Sequence, residues 1–397
     1  MSIFGVWMWP QSVSILGADR VAGLCAQIGI TDIYFLTKGL AGTVSYHSAL
    51  APRCNERDLL AELLEAAHAR KIRVHAWLTS ASDEHYKQRF PQSGRCHYTR
   101  GKDKGLIALT DEAYIAYMKE IVTELCQGYA IDGLHLDYIR YNHLLYGWSE
   151  EDQPRYATAG ADIAHLREMM DRTFLETPDA DANCIFDAYR AGDPSAHALA
   201  RVRREDVRRF AKTLTACARA QRSNLILSAA LMPEGAYDDA AFAALHYGQN
   251  YEDAAALYDV LLPMAYSQAY EKDGQWVRSV AEGTSRFGKS TVMGLHAYDG
   301  GTGPSLAEDI RALKDAKIEG ICLFRFGAFA LAVADGSALR LINTLEKPIT
   351  AVTAGGESLL PPGTDVMPGC EVLLPQVAAT HALRVFSGDT EACIYIP

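Results

Sequence analysis

Two acidic residues stand where apolar runs end, and their surroundings suggest acid–base chemistry. Asp137 closes the run Leu134-His135-Leu136-Asp137, and Glu234 follows Leu231-Met232-Pro233. A pair of carboxyl groups at neighbouring strand ends can serve as general acid and as nucleophile or charge stabiliser, which is the requirement for cleaving a glycosidic bond. Neighbouring strands lie about 4.8 Å apart, so such carboxylates could approach the roughly 5 Å separation of retaining enzymes. The competing readings are a loop cap or an Arg140 pair for Asp137, and a salt bridge to Arg140 or Arg325 for Glu234.

Other residues at strand ends add to this pair. Trp7, Trp9, Lys38, His75, Trp77, His135 and Arg140 come from the first half of the chain. Tyr266, Gln268, His296, Tyr298, Asp299 and Arg325 come from the second. Aromatic rings stack on flat sugar faces while polar groups bond the hydroxyls, so the set suits a carbohydrate site. Plain core packing is the alternative for any single ring.

These side chains must be positioned by strands. Phe4–Trp9, Asp32–Thr37, Ile72–Thr79, Leu134–Ile139, Leu225–Met232, Tyr258–Tyr266, Ser290–Tyr298 and Gly320–Phe326 read as strands. Helical patterns separate them, clearest at Asp58–Arg70, where Leu59, Leu60, Leu63 and Leu64 share a face. Others are expected at Gly17–Ile28, Asp111–Tyr129, Arg203–Ala220, Tyr251–Leu257, Trp276–Phe287 and Leu306–Lys317. Eight strands with intervening helices predict an α/β fold, a (β/α)8 TIM barrel, whose chemistry lies at the carboxyl ends of the strands. Along Leu134–Ile139, alternation sends Leu134, Leu136 and Tyr138 to one face and His135, Asp137 and Ile139 to the other.

Two stretches depart from the repeat. Residues 142–200 hold one plausible helix, Asp162–Phe174, and read as an insertion over the active-site face, a lid or substrate wall. From Lys347 short apolar runs are punctuated by Gly-Gly and Pro-Pro-Gly, so residues 346–397 are expected to form a small all-β appendage to a barrel spanning 1–345.

Composition narrows the chemistry. The 397-residue chain carries 49 acidic and 38 basic residues, a net charge of −11 that disfavours a nucleic-acid partner. The Arg-rich run Arg201–Arg209 reads as a solvated helix face. No apolar run reaches the ~20 residues of a membrane span. Nine scattered cysteines without a Cys-x-x-Cys pair suggest reduced thiols. The first strand begins almost at Met1, leaving no room for a signal peptide, so a cytoplasmic location is expected unless a secretion signal has been removed. His75, His135 and His296 with Asp137 could be drawn as a metal site, but Trp7-Met8-Trp9 stands where a His-x-His would be needed, and no metal or other cofactor is expected. Gly300-Gly301-Thr302-Gly303 lacks the Lys and context of a phosphate cradle, and no Gly-x-Ser-x-Gly elbow occurs.

The run Asp132-Gly133-Leu134-His135-Leu136-Asp137-Tyr138-Ile139-Arg140-Tyr141 resembles the fourth-strand signature of the glycosyl-hydrolase-like family 10 group of polysaccharide-acting barrels. His75–Leu78, Arg203–Val207, Leu227–Ala230, Pro263–Tyr266 and Leu323–Gly327 look like the same group. Met232-Pro233-Glu234 with Tyr247–Tyr251 is similar to a subgroup of microbial cell-surface barrels. The resemblance spans about residues 3–330, without the insertion or the appendage. It implies a (β/α)8 fold and action on a cell-wall, amino-sugar or exopolysaccharide glycan, with Asp137, Arg140, Glu234 and Tyr266 as its site residues. A more distant likeness is to family 18 chitinases, whose fourth strand reads Asp-x-x-Asp-x-Asp-x-Glu. Here His135 replaces the second Asp and Ile139 the acid-supplying Glu. The acid must then come from elsewhere, with Glu234 the nearest candidate and Asp299 the reserve. A catalytically inactive glycan-binding barrel and, further off, a metal-dependent hydrolase are the alternatives.

Overall fold

The structure, a computed structural model, describes residues 2–176, 182–298, 303–375 and 383–396. Eight parallel strands close a barrel in chain order: β1 Ile3–Met8, β2 Asp32–Lys38, β3 Arg73–Thr79, β4 Gly133–Asp137, β5 Ile226–Leu231, β6 Val260–Ala265, β7 Ser290–His296 and β8 Gly320–Phe326. β8 pairs back onto β1, so the sheet has no edge. This is the expected (β/α)8 barrel.

Local chemistry sets the helix starts. Asp58 accepts from the Ala61 amide at 2.9 Å, and Asp111 accepts from the Tyr114 amide at 2.8 Å, so each caps its helix. The helix Leu59–His68 then buries its leucines, and Glu112–Gly128 buries Ile115, Met118, Ile121, Val122 and Leu125 against the outside of the barrel. The short helix Pro10–Leu16, which periodicity did not mark, starts at a proline and turns the chain at the mouth.

The barrel interior is filled by large side chains. Trp7, Tyr34, Trp77, Leu262, Val292 and Cys322 pack together there. Glycine makes room for two neighbours. A Cβ on Gly133 would fall 2.1 Å from His75 Nδ1, and one on Gly294 would fall 2.8 Å from the Trp7 ring.

The insertion is more helical than its composition suggests. Helices Asp152–Thr158, Ile163–Phe174 and Cys184–Arg190 lead into one of 28 residues, Pro194–Gln221, which starts well before the expected Arg203. Leu144, Trp148, Tyr156, Leu166, Met170 and Leu199 give this region its own apolar core. Arg203 and Asp206 anchor it. Arg203 donates to the Tyr146 and His143 carbonyls at 2.8 and 2.9 Å and lies 3.8 Å over the Tyr141 ring, while Asp206 accepts from the Tyr141 hydroxyl at 2.7 Å.

Among the described residues, a second sheet of seven strands follows the barrel. Its strands are β9 Phe329–Asp335, β10 Ala338–Ile342, β11 Ala351–Ala354, β12 Glu357–Ser358, β13 Glu371–Pro375, β14 Leu383–Ser387 and β15 Thr390–Tyr395. The sheet begins at Phe329, upstream of the expected boundary at 346. The β9–β10 hairpin carries the same apolar alternation as a barrel strand, so composition does not separate it. Phe4 of the barrel meets Tyr395 of the sheet at 5.5 Å between ring centroids.

Candidate active site

A cavity of about 550 Å³ opens at the carboxyl ends of the barrel strands. Trp7, Trp9, Trp77, Tyr138, Tyr266, Tyr270, Tyr298 and Phe324 line it, and Asp137 and Arg140 are the charged residues among its described lining. The loop after β2 supplies Gly39, Leu40, Thr43 and Ser45, and the turn after β1 supplies Pro10 and Gln11. None of the described lining comes from residues 142–200, and the β2 loop stands where a wall from the insertion was expected. The insertion's apolar side chains are spent on its own core instead.

Asp137 is fixed from three sides. Its Oδ1 accepts from the Tyr138 amide at 2.6 Å and from Arg140 Nη1 at 3.0 Å, and its Oδ2 accepts from Trp77 Nε1 at 3.2 Å. This geometry depends on where β4 stops. Tyr138 adopts φ 56°, a left-handed conformation unusual for a non-glycine residue. The turn ends the strand at Asp137, two residues before the expected Ile139, and breaks the alternation. Tyr138 therefore faces the cavity, with the Arg140 guanidinium 4.5 Å over its ring, while Ile139 is buried in the main core. Both are reversed from the faces the pattern assigns them.

Glu234 sits on the turn Pro233–Ala236 just beyond β5. It is 7% exposed and accepts from the Tyr270 hydroxyl at 3.2 Å and the Tyr247 hydroxyl at 3.5 Å. Burial pushes its carboxyl above the usual range, and the two hydroxyls and the Arg140 charge pull against that only in part. Ala230 of β5 and Met232 just past its end line the cavity. Glu234 does not; Tyr270 lines the cavity and reaches back to it. Arg140 thus pairs with one carboxylate and acts electrostatically on the other.

Of the other residues expected at the site, Trp7, Trp9, Trp77, Arg140, Tyr266 and Tyr298 come together with Asp137 around the cavity. Arg325 lies at the rim, its guanidinium 3.6 Å over the Trp9 ring and 2.8 Å from Glu346 Oε1. Gln268 opens the turn Gln268–Tyr270 that carries Tyr270. His296 is buried behind the lining, stacked on Tyr298 at 4.2 Å between ring centroids. Asp299 lies outside the described residues.

Three expected contacts prove to be interior structure. Lys38 is fully buried, with Nζ 3.0 Å from Asp83 Oδ2 and donating to the Ser82 carbonyl at 3.0 Å, so its charge is consumed within the protein. His75 lies 2.8 Å from Asp32, which also accepts from Arg73. Burial alone would raise Asp32, but these two partners hold it well below the ordinary carboxylate range. His135 accepts from Trp7 Nε1 at 3.1 Å through Nε2, which leaves Nδ1 to donate to Ser228 Oγ at 2.9 Å. The ring is therefore the neutral Nδ1–H tautomer, in keeping with the burial that drives its pKa well below the usual histidine value. His75 and His135 fill the barrel interior, where layers of side chains must pack, while Lys38 lies between the strand ends and Tyr114 of the helix Glu112–Gly128, whose hydroxyl is 3.3 Å from its Nζ.

The sequence pattern does not point to Tyr138, Tyr270 or Phe324. Phe324 had a signal: it stands two residues beyond Cys322 on the inward face of β8. Tyr270 stands one helical turn after Tyr266, a spacing that places both at the mouth once the turn forms. Among the described residues, no group of three or more His, Cys, Asp or Glu side chains could hold a metal ion. No described helix is long and apolar enough to cross a membrane.

No family model matches the chain, and no curated protein matches its sequence. Solved structures do match its fold. The glycoside hydrolase domain of PgaB (BpsB) from Bordetella bronchiseptica aligns with a TM-score of 0.63 at 15% identity, covering 82% of this chain and 94% of that one. The catalytic domain of β-amylase from Paenibacillus polymyxa aligns with a TM-score of 0.58 at 10% identity, covering 81% and 91%. β-Galactosidase from the psychrophilic Marinomonas ef1 aligns with a TM-score of 0.56 at 14% identity; 82% of this chain is covered, but it spans only 54% of that enzyme. The barrel thus has the fold of glycoside hydrolases.

Proposed function

We propose that the protein is a glycoside hydrolase or transglycosylase that cleaves a poly- or oligosaccharide in the barrel mouth. One observation carries the reading: of two buried carboxyl groups near the same Arg140, Glu234 is raised by burial and Asp137 is held by three N–H donors. Glycosidic cleavage needs one carboxyl that holds a proton and one that supports positive charge at the sugar. Glu234, raised by burial, suits the first role. Asp137, an acceptor from three N–H donors beside the aromatic cavity, suits the second as nucleophile or charge stabiliser.

The proton path runs through Tyr270. When Glu234 is protonated, the 3.2 Å bond reverses: the carboxyl O–H donates to the Tyr270 oxygen and the Tyr270 O–H turns to the glycosidic oxygen. Glu234 then gives its proton to the Tyr270 oxygen while the Tyr270 O–H proton passes to the glycosidic oxygen, and the leaving sugar departs as its alcohol. The oxocarbenium-like sugar forms beside Asp137 and is captured by water, or by a sugar hydroxyl in transglycosylation, whose proton returns through Tyr270 to Glu234. The aromatic lining stacks on sugar faces.

A catalytically silent glycan-binding barrel is the second reading. The observation that favours it is the placement of Glu234 behind Tyr270 rather than on the cavity wall. Mass spectrometry of products from a panel of peptidoglycan, chitin and other amino-sugar polymers, and α- and β-glucans decides between them. Oligosaccharides released by the native protein but not by Asp137→Asn are expected. Retained binding without release by the native protein would move the assignment to the second reading.

A further inference from the structure

We propose that the cleft between the barrel rim and the C-terminal sheet is a second saccharide subsite, which takes the neutral continuation of the glycan held in the mouth. The inference rests on the glycosidase reading above and gives the second sheet a role in it.

The cleft has a volume of about 380 Å³, within the roughly 300–1,000 Å³ of small-molecule sites. Its walls come from both halves of the protein. Tyr298 and Arg325 belong to the barrel side, while Lys347, Ser387, Thr390 and Glu391 come from the sheet and the segment leading to it. The cleft adjoins the mouth: Tyr298 lines both cavities, and Arg325 of the cleft lies against Trp9 of the mouth at 3.6 Å. A glycan that extends beyond Trp9 and Tyr298 would reach the cleft.

Its charges argue for a neutral ligand. Arg325 is neutralised by Glu346 at 2.8 Å, and Glu391 by Arg384 at 2.6 Å. A phosphorylated or sulfated ligand would need converging cations, and here it would meet Lys347 beside two acidic side chains. What the cleft offers instead is interspersed donors and acceptors: the Ser387 and Thr390 hydroxyls, the Lys347 ammonium and the Glu391 carboxylate. That mixture suits the hydroxyl edges of a sugar. The two cavities are complementary in this respect, since the aromatic mouth holds sugar faces and the polar cleft holds their edges.

Thr390 is exposed beside the tight Gly388 turn, and neither it nor Lys347 belongs to the catalytic machinery. The test uses the full chain with Thr390→Trp, which fills the cleft, and Lys347→Ala, which opens it. The probes are short and long oligosaccharides derived from chitin, cellulose and starch. For the series that is cleaved, Thr390→Trp is expected to lower kcat/KM on long oligomers about tenfold, roughly the worth of one good polar contact set. Short oligomers should be cleaved at the native rate, and Lys347→Ala should act in the same direction more weakly. Equal effects on both lengths, or none on the long ones, would overturn the subsite while leaving the glycosidase intact. If the native protein cleaves none of the probes, calorimetric titration replaces kinetics. Weakened binding of long oligomers alone by Thr390→Trp then supports the subsite without the glycosidase, and no binding by the native protein overturns both.

Discussion

The Tyr270 hydroxyl lies 3.2 Å from Glu234 Oε1, and it is Tyr270, not Glu234, that lines the cavity. On the proposed reading, Glu234 therefore meets a substrate through a phenol. Tyr270→Phe should lower kcat about 10²-fold on natural glycans, within the range for loss of a positioned proton donor. Aryl glycosides with good leaving groups need little protonation and should be cleaved at close to the native rate. The Tyr270 bond lowers Glu234 against the effect of burial, so its loss should also move the alkaline limb of kcat/KM to higher pH. A pH–rate profile on both substrate types checks this, and equal losses on the two would remove Tyr270 from the proton path.

Asp137→Asn and Glu234→Gln should each reduce turnover by about 10²–10⁴-fold, yet they should differ in stability. Asp137 is the counter-charge of Arg140, whose side chain is only 10% exposed. Breaking a buried pair costs about 3–5 kcal/mol, so Asp137→Asn should unfold at clearly lower urea. A carboxyl raised by burial exchanges for an amide with little electrostatic change, so Glu234→Gln should unfold near the native midpoint.

Asp309 gives a pH signature that is separate from catalysis. Burial pushes its carboxyl up to about 6, against the Ser267 hydroxyl that donates to it at 2.6 Å. The folded state thus holds this proton to higher pH than the unfolded chain, whose aspartates titrate near about 3.9. The Asp309 contribution to stability falls as pH rises from about 4 through about 6, and above that window the charged form is buried at a cost. Asp309→Asn should raise Tm at neutral pH, and the gain should shrink as pH falls through the same window. Calorimetry across that range checks it; a gain independent of pH would contradict the assignment.

Trp7 tests the interior role of His135. Trp7→Phe leaves His135 Nε2 an unmet buried acceptor, which should destabilise the fold by about 1–3 kcal/mol in denaturant unfolding. Trp7 also lines the cavity, so KM may be compared in the same variant; a change confined to KM with native stability would return His135 to the substrate.

The barrel was legible in the sequence because its signals are local. Each strand is a short apolar run and each helix an amphipathic one, and backbone conformation and burial follow from that spacing; Tyr251–Leu257 and Gly320–Phe326 match the expected bounds. Asp137 was legible for the same reason, as the polar end of such a run. What spacing could not carry is which partner each inward side chain meets after closure. Trp7 and His135 are 128 positions apart in sequence, yet share a hydrogen bond. Lys38, His75 and His135 read as site residues because they are polar and at strand ends, but closure gave them Asp83, Asp32 and Ser228. The turn at Tyr138 was hidden too, because alternation extrapolates a strand until a residue leaves the β region. That φ of 56° puts Tyr138 and Arg140 beside Asp137. The sequence by itself determined the barrel strands and the carboxyl groups at the end of β4 and just past β5; the tertiary structure alone decided which polar groups remain for a ligand, because hydrogen bonds and desolvation depend on neighbours that only the closed barrel supplies.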